Sequence, residues 1–284
     1  MAHVAPARRA VSYTFRVTSE HDAFGAWFDA LVGALPIVDA DDDTAEWSLV
    51  SAVSAADEQP TSWRFLVDGE ERGSGQAPDQ VATTMIQTLN GQVVQHWPGV
   101  VCHAGCVSVD GRAVVMPADP ESGKSTLTCG LVRAGFDYVT DEGVAFVAGS
   151  TQIEPYPKPL SLDPGSWFLF PELEPEPPEG IVADEMAQWQ VAPATIRRAA
   201  LSGPCDARFL VFPEYVEGAD TELVPMSRAE ALVELAKNTF EFNQHSRASL
   251  DELELVVRAC VCHRLTVGSL DDAVDRIREL TRGA

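Results

Sequence analysis

The feature that most constrains this chain is the run Ala118-Asp119-Pro120-Glu121-Ser122-Gly123-Lys124-Ser125-Thr126. An apolar stretch, Ala113 to Met116, precedes it, and an amphipathic one through Leu127, Leu131 and Val132 follows. Ala or Gly, four residues, then Gly-Lys and Ser or Thr is the form of a phosphate-cradling turn between a strand and a helix. Gly123 permits backbone torsions that turn successive N–H groups inward, with Ser122 and Thr126 flanking the core of the cradle. Lys124 brings a cation to the outer phosphates, and the Ser125 hydroxyl can complete the coordination of Mg²⁺. A helix opening near Gly123 adds its positive end. Within the loop, Pro120 removes one donor and Glu121 adds a negative charge. Those two residues favour the contrasting reading of a loop that binds nucleotide without catalysing.

Phosphate chemistry also needs carboxylates. Tyr138-Val139-Thr140-Asp141-Glu142-Gly143 puts two at the end of the next expected strand. In an open α/β sheet the carboxyl edge of the strands is where ligands bind. His103 lies one strand upstream of the loop, followed by Ala104-Gly105, small residues that let a backbone or ligand approach closely. Taken alone, a strand histidine reads as a core residue more often than as a functional one.

The rest of the chain reads as α/β, divided into a small N-terminal domain over residues 1–95 and a larger one over 96–284. In the first, Val11 to Thr18 alternates as a strand with Val11, Tyr13, Phe15 and Val17 on one face. Ser19 to Leu35 is expected to be a helix ending at Pro36, Trp47 to Val53 and Trp63 to Val67 strands, and Asp79 to Trp97 a helix. The segments Asp39 to Asp43 and Gly69 to Gly75 read as solvated loops; the calcium-loop spacing is absent from the first. In the second, Val100 to Val109 and Arg112 to Met116 form a hairpin about Asp110-Gly111. Phe136 to Thr140, Val144 to Ala148, Phe209 to Phe212 and Val261 to Val267 are further strands. Glu154 to Leu160 is an extended proline-rich segment, and Pro171 to Pro178 a solvated loop. Ser227 to Phe240 and Ser249 to Arg258 are helices, each opened by a Ser-x-x-Glu capping pair, and Leu270 to Leu280 is the closing helix.

Composition narrows the partners. With 20 Lys and Arg against 43 Asp and Glu, the formal charge is −23. Such a surface repels nucleic acid and anionic membrane. No stretch reaches the ~20 apolar residues that span a bilayer, and the N-terminus lacks a signal-peptide core, so a cytoplasmic location is expected. The six cysteines are spread without a Cys-x-x-Cys pair, which suits reduced, buried thiols. Cys102 and His103 point to opposite faces of a strand, against a metal cluster with Cys106. A GTPase is disfavoured because no Asn-Lys-x-Asp segment occurs.

His103-Ala104-Gly105, the hairpin, the loop at 118–126 and Gly135-Phe136-Asp137-Tyr138-Val139-Thr140-Asp141-Glu142 together resemble the catalytic domain of bacterial HPr kinase/phosphorylase. That family shares its nucleotide core with phosphoenolpyruvate carboxykinase. The likeness extends from His103 to about Ala148. Pro155-Tyr156-Pro157-Lys158-Pro159-Leu160-Ser161-Leu162 is similar to shorter relatives that accompany peptide-modification genes. The resemblance implies a P-loop core, ATP and Mg²⁺, and transfer of the γ-phosphate to a serine-type hydroxyl of a peptide or small protein. It implies Asp141 as the base, His103 lining the same pocket, and Ser125, Asp141 and Glu142 at the metal. Glu142 stands where the family has a second aspartate, and the loop is poorer in glycine. The downstream Glu-Ile-Arg-Gly-type signature has no counterpart, which sets HPr aside as the acceptor. A further cation should complete the charge clamp, and Lys158, Arg197, Arg198, Arg247 and Arg264 are the candidates. A small-molecule kinase is the enzymatic alternative, a non-catalytic nucleotide-binding regulator the other; the apolar strands allow a homo-oligomer.

Overall fold

The computed structural model describes residues 3–53, 60–75, 78–119, 122–176, 186–240 and 246–283. Pro120 and Glu121 of the loop, and the end of the Pro171 to Pro178 segment, lie outside them. The chain is a mixed α/β protein that divides into two compact units: Met1–His96 with Lys158–Thr195, and Trp97–Pro157 with Ile196–Ala284. Among the described residues no helix is long and apolar enough to cross a membrane.

The first unit begins with strands β1 (His3–Val4), β2 (Arg8–Ala10) and β3 (Tyr13–Ser19), helix α1 (Asp22–Leu31), strands β4 (Ala45–Val53), β5 (Pro60–Val67) and β6 (Glu70–Gly75), and helix α2 (Pro78–His96). The strands form one sheet in the order β1-β3-β4-β5-β6, with β2 also on β3. The expected inward face of β3 is found, since Tyr13, Phe15 and Val17 are buried. Val11 is not on it. It turns the β2–β3 hairpin at φ 56, a backbone region a β-branched residue rarely enters. The loop expected over Gly69 to Gly75 is instead strand β6, whose side chains are polar or absent and so carry no apolar alternation. The Asp68-Gly69 pair (φ 51 and 83) makes its turn, in the dipeptide form that favours tight hairpins. The core is aromatic: the Trp47 ring lies 4.7 Å from Phe15 and 4.9 Å from Phe65. Trp47 Nε1 donates to Tyr13 Oη at 3.0 Å. α2 buries Val81, Ala82, Met85, Ile86, Leu89 and Val93, one stripe at helical spacing.

The second unit opens with β7 (Val101–Val109), β8 (Arg112–Pro117), α3 (Lys124–Arg133), β9 (Asp137–Thr140), β10 (Gly143–Phe146) and β11 (Gln152–Glu154). The β7–β8 turn is the expected Asp110-Gly111, at φ 52 and 71. The chain then supplies the first unit with β12 (Leu160–Leu162), α4 (Pro164–Trp167) and β13 (Trp189–Val191). Trp167 and Trp189 stack there, with centroids 4.6 Å apart and planes within 5°. Where a solvated loop was expected, Pro171–Leu173 is a 3-10 turn that buries Leu173, because an apolar side chain among the glutamates finds the core.

Through α5 (Pro193–Ile196) the chain reaches β14 (Cys205–Tyr215), β15 (Glu222–Pro225), α6 (Arg228–Lys237), α7 (Ser246–Ala259), β16 (Val261–Val267) and α8 (Leu270–Arg282). The sheet runs β11-β10-β7-β8-β14-β16-β15, with β9 beside β7. β11 pairs with β14 as well as β10, so β7, β8, β14, β11 and β10 close into a ring. β8, β14 and β16 are mutually parallel, and the short strand expected over Phe209 to Phe212 is the middle of an eleven-residue one. Ser227 and Glu230 form the expected capping box of α6. Ser249 does not cap α7, which starts a turn earlier at Ser246, because Ser246-Arg247-Ala248 extends the helix and buries Ser249 within it. None of the six cysteines forms a disulfide, and all are buried.

In the first unit, Arg8 donates through Nε and Nη2 to Asp29 at 2.9 and 2.8 Å and through Nη1 to the Leu35 carbonyl at 3.0 Å. Replacing it strands a carboxylate and a carbonyl. Arg8→Met should lower stability by roughly 2 kcal/mol, less than a fully buried pair costs because Asp29 keeps some water. Urea unfolding followed by tryptophan fluorescence checks this, since Trp27, Trp47, Trp63, Trp167 and Trp189 all lie in this unit. Arg64→Met, which breaks the exposed 3.7 Å pair with Glu71, should leave the midpoint unchanged.

Candidate functional site

The site is assembled by strand register. β7 runs antiparallel to β8 on one side and to β9 and β10 on the other. Ala104 faces Pro117, the last residue of β8, and Cys106 faces Thr140, the last of β9. His103 pairs with Gly143, the first of β10. One edge of the sheet therefore gathers the start of the 118–126 segment, the Asp141-Glu142 pair and His103. Covalent order alone scatters these residues; the shared partner strand brings them together.

On either side of residues 120–121 a strand ends at Pro117 and a helix opens at Lys124, as expected. Gly123, at φ 85, is the N-cap of α3, a left-handed conformation that suits glycine. The first turn of α3 presents N–H groups that have no intrahelical partner. Lys124 is buried, and its Nζ donates to the Ala118 and Asp119 carbonyls at 3.1 and 3.2 Å. The ammonium is thus held across the turn's own backbone. Ser122 Oγ is buried with no hydrogen-bond partner among the described residues. Ser125 and Thr126 are half-buried.

Ser125 Oγ donates to Asp141 Oδ2 at 3.2 Å. The other carboxylate oxygen, Oδ1, accepts from Tyr138 Oη at 3.0 Å. Asp141 is 1% exposed, so these donors replace water around a charge. Burial, and after it the charge of Asp141, pushes the Tyr138 phenol well above its ordinary pKa. Burial and then the charges of Asp141 and Glu142 do the same to Tyr156. Both phenols therefore stay protonated. Glu142 Oε1 lies 3.4 Å from His103 Nε2, and the His103 ring rests 5.8 Å from Phe240.

Lys124, Ser125, Asp141, Glu142 and His103, each singled out from the sequence, thus stand on one edge, linked by contacts of side chain to side chain or along α3. Gly105 allows the close approach expected of it. It leaves room for a helix rather than a ligand: a Cβ there would sit 2.4 Å from Thr128 Oγ1 and 3.7 Å from the Lys124 carbonyl. Of the clamp candidates, Arg197 is otherwise engaged. It pairs with Asp137 at 2.6 Å and donates to the Val132 and Phe136 carbonyls. That is the opposite end of β9 from Asp141, roughly 13 Å away along a strand. Arg198, Arg247 and Arg264 are exposed, Arg264 across from Val224 on β15. Lys158, in the first unit, is buried and donates to the Pro159 carbonyl at 2.9 Å.

Sequence reasoning missed the two tyrosines. Tyr138 precedes Asp141 by three residues, a spacing with no motif attached to it. Among the described residues no group of three or more His, Cys, Asp or Glu side chains could hold a metal ion. A shallow hollow of about 270 Å³ lined by Thr221, Glu222, Leu223, Arg276, Glu279 and Leu280 contains none of the residues above.

If Gly105 is what lets α3 sit on β7, Gly105→Ala should cost ~1–3 kcal/mol by overpacking. Thr128→Ala, which removes a buried hydroxyl that has no partner among the described residues, should be close to neutral and should recover most of that loss in the double variant. Thermal unfolding of the four proteins measures the coupling.

No family model and no curated protein matches the chain. Among solved structures, it is similar to the HPr(Ser) kinase/phosphatase from Coxiella burnetii, at 12% identity over 65% of this chain and 99% of that one, with a TM-score of 0.29. A likeness this distant does not carry an activity across.

Proposed function

We propose that this chain is a phosphotransferase that uses ATP to phosphorylate a hydroxyl group, of serine type, on a peptide or small protein. The observation that carries this reading is the 3.2 Å bond between Ser125 and Asp141. It joins the serine of a phosphate-loop sequence to a buried carboxylate delivered by the following strand.

In this reading the α3 amides, Gly123 and Lys124 hold the terminal phosphates, with Ser122 Oγ and Thr126 as further donors. Lys124 exchanges its two backbone carbonyl partners for phosphate oxygens and so brings its charge where negative charge accumulates. Ser125, Asp141 and Glu142 offer hard oxygen donors of the kind Mg²⁺ takes together with phosphate. Bound there, Mg²⁺ would supply neutralisation of the transferring group. Asp141 accepts the proton of the attacking hydroxyl, and His103 steadies Glu142 from the far side. The acceptor class rests on the sequence resemblance; the acid-rich surface argues against nucleic acid as partner.

The test is transfer from γ-labelled ATP to serine-containing peptides, with calorimetry of MgADP binding alongside. Asp141→Asn should lower the transfer rate by ~10²–10⁴ while nucleotide affinity persists. Lys124→Met should weaken MgADP binding by roughly ten- to a hundredfold through loss of a charge-assisted contact. Tight MgADP binding with no transfer to any acceptor would assign the chain to a regulatory role instead.

A further inference from the structure

We propose that Tyr138 is a positioning residue for the phosphoryl-transfer site, holding the Asp141 carboxylate in the orientation from which it can accept the acceptor's proton. The inference rests on the reading of Asp141 as the base.

Asp141 is attached just past the end of β9, where the backbone alone leaves its side chain free to rotate. Its two oxygens are pinned from different elements: Oδ2 by Ser125 on α3 and Oδ1 by Tyr138 on β9. The Ser125 hydroxyl faces the phosphate loop and is the donor that a metal ion would displace. The Tyr138 phenol is buried at 0% exposure, beyond reach of nucleotide or acceptor, and its bond can persist when Ser125 is recruited elsewhere. Tyr138 is itself anchored on both backbone groups, its N–H donating to the Ala200 carbonyl and its carbonyl accepting from Ser202 N–H. Next to it, Val139 accepts from Tyr156 N–H at 3.1 Å. The phenol is thus a fixed donor rather than a mobile one. Its hydrogen bond to Oδ1 restrains the rotation that sets where Oδ2 meets a proton or a metal.

Phenylalanine fills the same volume and removes only the donor. Wild type, Tyr138→Phe and Asp141→Asn are compared by phosphate release from γ-labelled ATP with Mg²⁺, water serving as acceptor, and by calorimetric titration with MgADP. Tyr138→Phe should lower kcat by roughly ten- to a hundredfold, the scale on which misplacement of a reacting group acts. KM for ATP and the Kd of MgADP should change far less than kcat, because the phosphate-holding groups Gly123 and Lys124 are untouched. A crystal structure of the variant should show the Asp141 carboxylate rotated off Ser125. An unchanged kcat overturns the proposal, as does a carboxylate that keeps its place, or a loss of MgADP affinity that matches the loss of rate. Asp141→Asn hydrolysing ATP like the wild type, or a wild type that hydrolyses none, overturns it by removing the base reading beneath it. The Asp141→Asn arm and the wild-type rate thereby separate that failure from a failure of Tyr138 alone.

Discussion

Burying the Asp141 carboxylate is the demand around which the second unit is organised. A carboxylate taken almost wholly out of water loses several kcal/mol of solvation unless hydrogen-bond donors stand in for the solvent. Here the donors come from two elements, Ser125 on α3 and Tyr138 on β9. Each is useful only if both the seating of the helix and the register of the strand are right. A slip of one residue in β9 would turn Tyr138 to the other face and leave Oδ1 without its partner. The polar contact therefore selects one packing from the many that hydrophobic burial alone would tolerate.

That seating depends in turn on two glycines with different jobs. Gly123 supplies the left-handed residue from which α3 opens. Gly105 supplies absence, since a Cβ at that position would collide with the Thr128 side chain. The closeness of helix and sheet matters because Lys124 and Ser125 are consecutive. Moving α3 outward would carry the ammonium and the hydroxyl away together from the edge where β9 ends.

Much of this was legible in residue order, and the unread parts share a cause. The phosphate-loop segment, the Asp110-Gly111 hairpin and the Ser227 capping box are local patterns whose physics is complete within a few residues. Asp141 and Glu142 were readable as candidates because they follow an apolar run, and His103 because small residues follow it. What joins them is the pairing of β7 with β8, β9 and β10, a long-range register that no local pattern encodes. The local misreadings also have reasons. Val11 has the side chain of a strand residue but occupies a turn. β6 is a strand without apolar alternation, held by its neighbour and by the turn at Asp68-Gly69. Ser249-Leu250-Asp251-Glu252 has the spacing of a cap, yet the helix had already begun at Ser246. Tyr138 was invisible as a functional residue because its role is defined by the oxygen it faces, not by its neighbours in sequence.

The charge of the chain sets a boundary on how such a site can work. At −23, long-range electrostatics oppose the approach of a polyanionic nucleotide, but that field is screened beyond roughly 10 Å at ordinary ionic strength. In the proposed reading, capture rests on short-range groups: the amides at the start of α3, Lys124, and a metal ion arriving with the nucleotide. The acidity of the surface and the cationic character of the turn do not conflict, because they act over different distances. The same reasoning accounts for Lys124 being buried against its own loop carbonyls. An ammonium left exposed on so acidic a surface would be drawn to the nearest carboxylate, whereas one held by backbone oxygens keeps its place within reach of the turn.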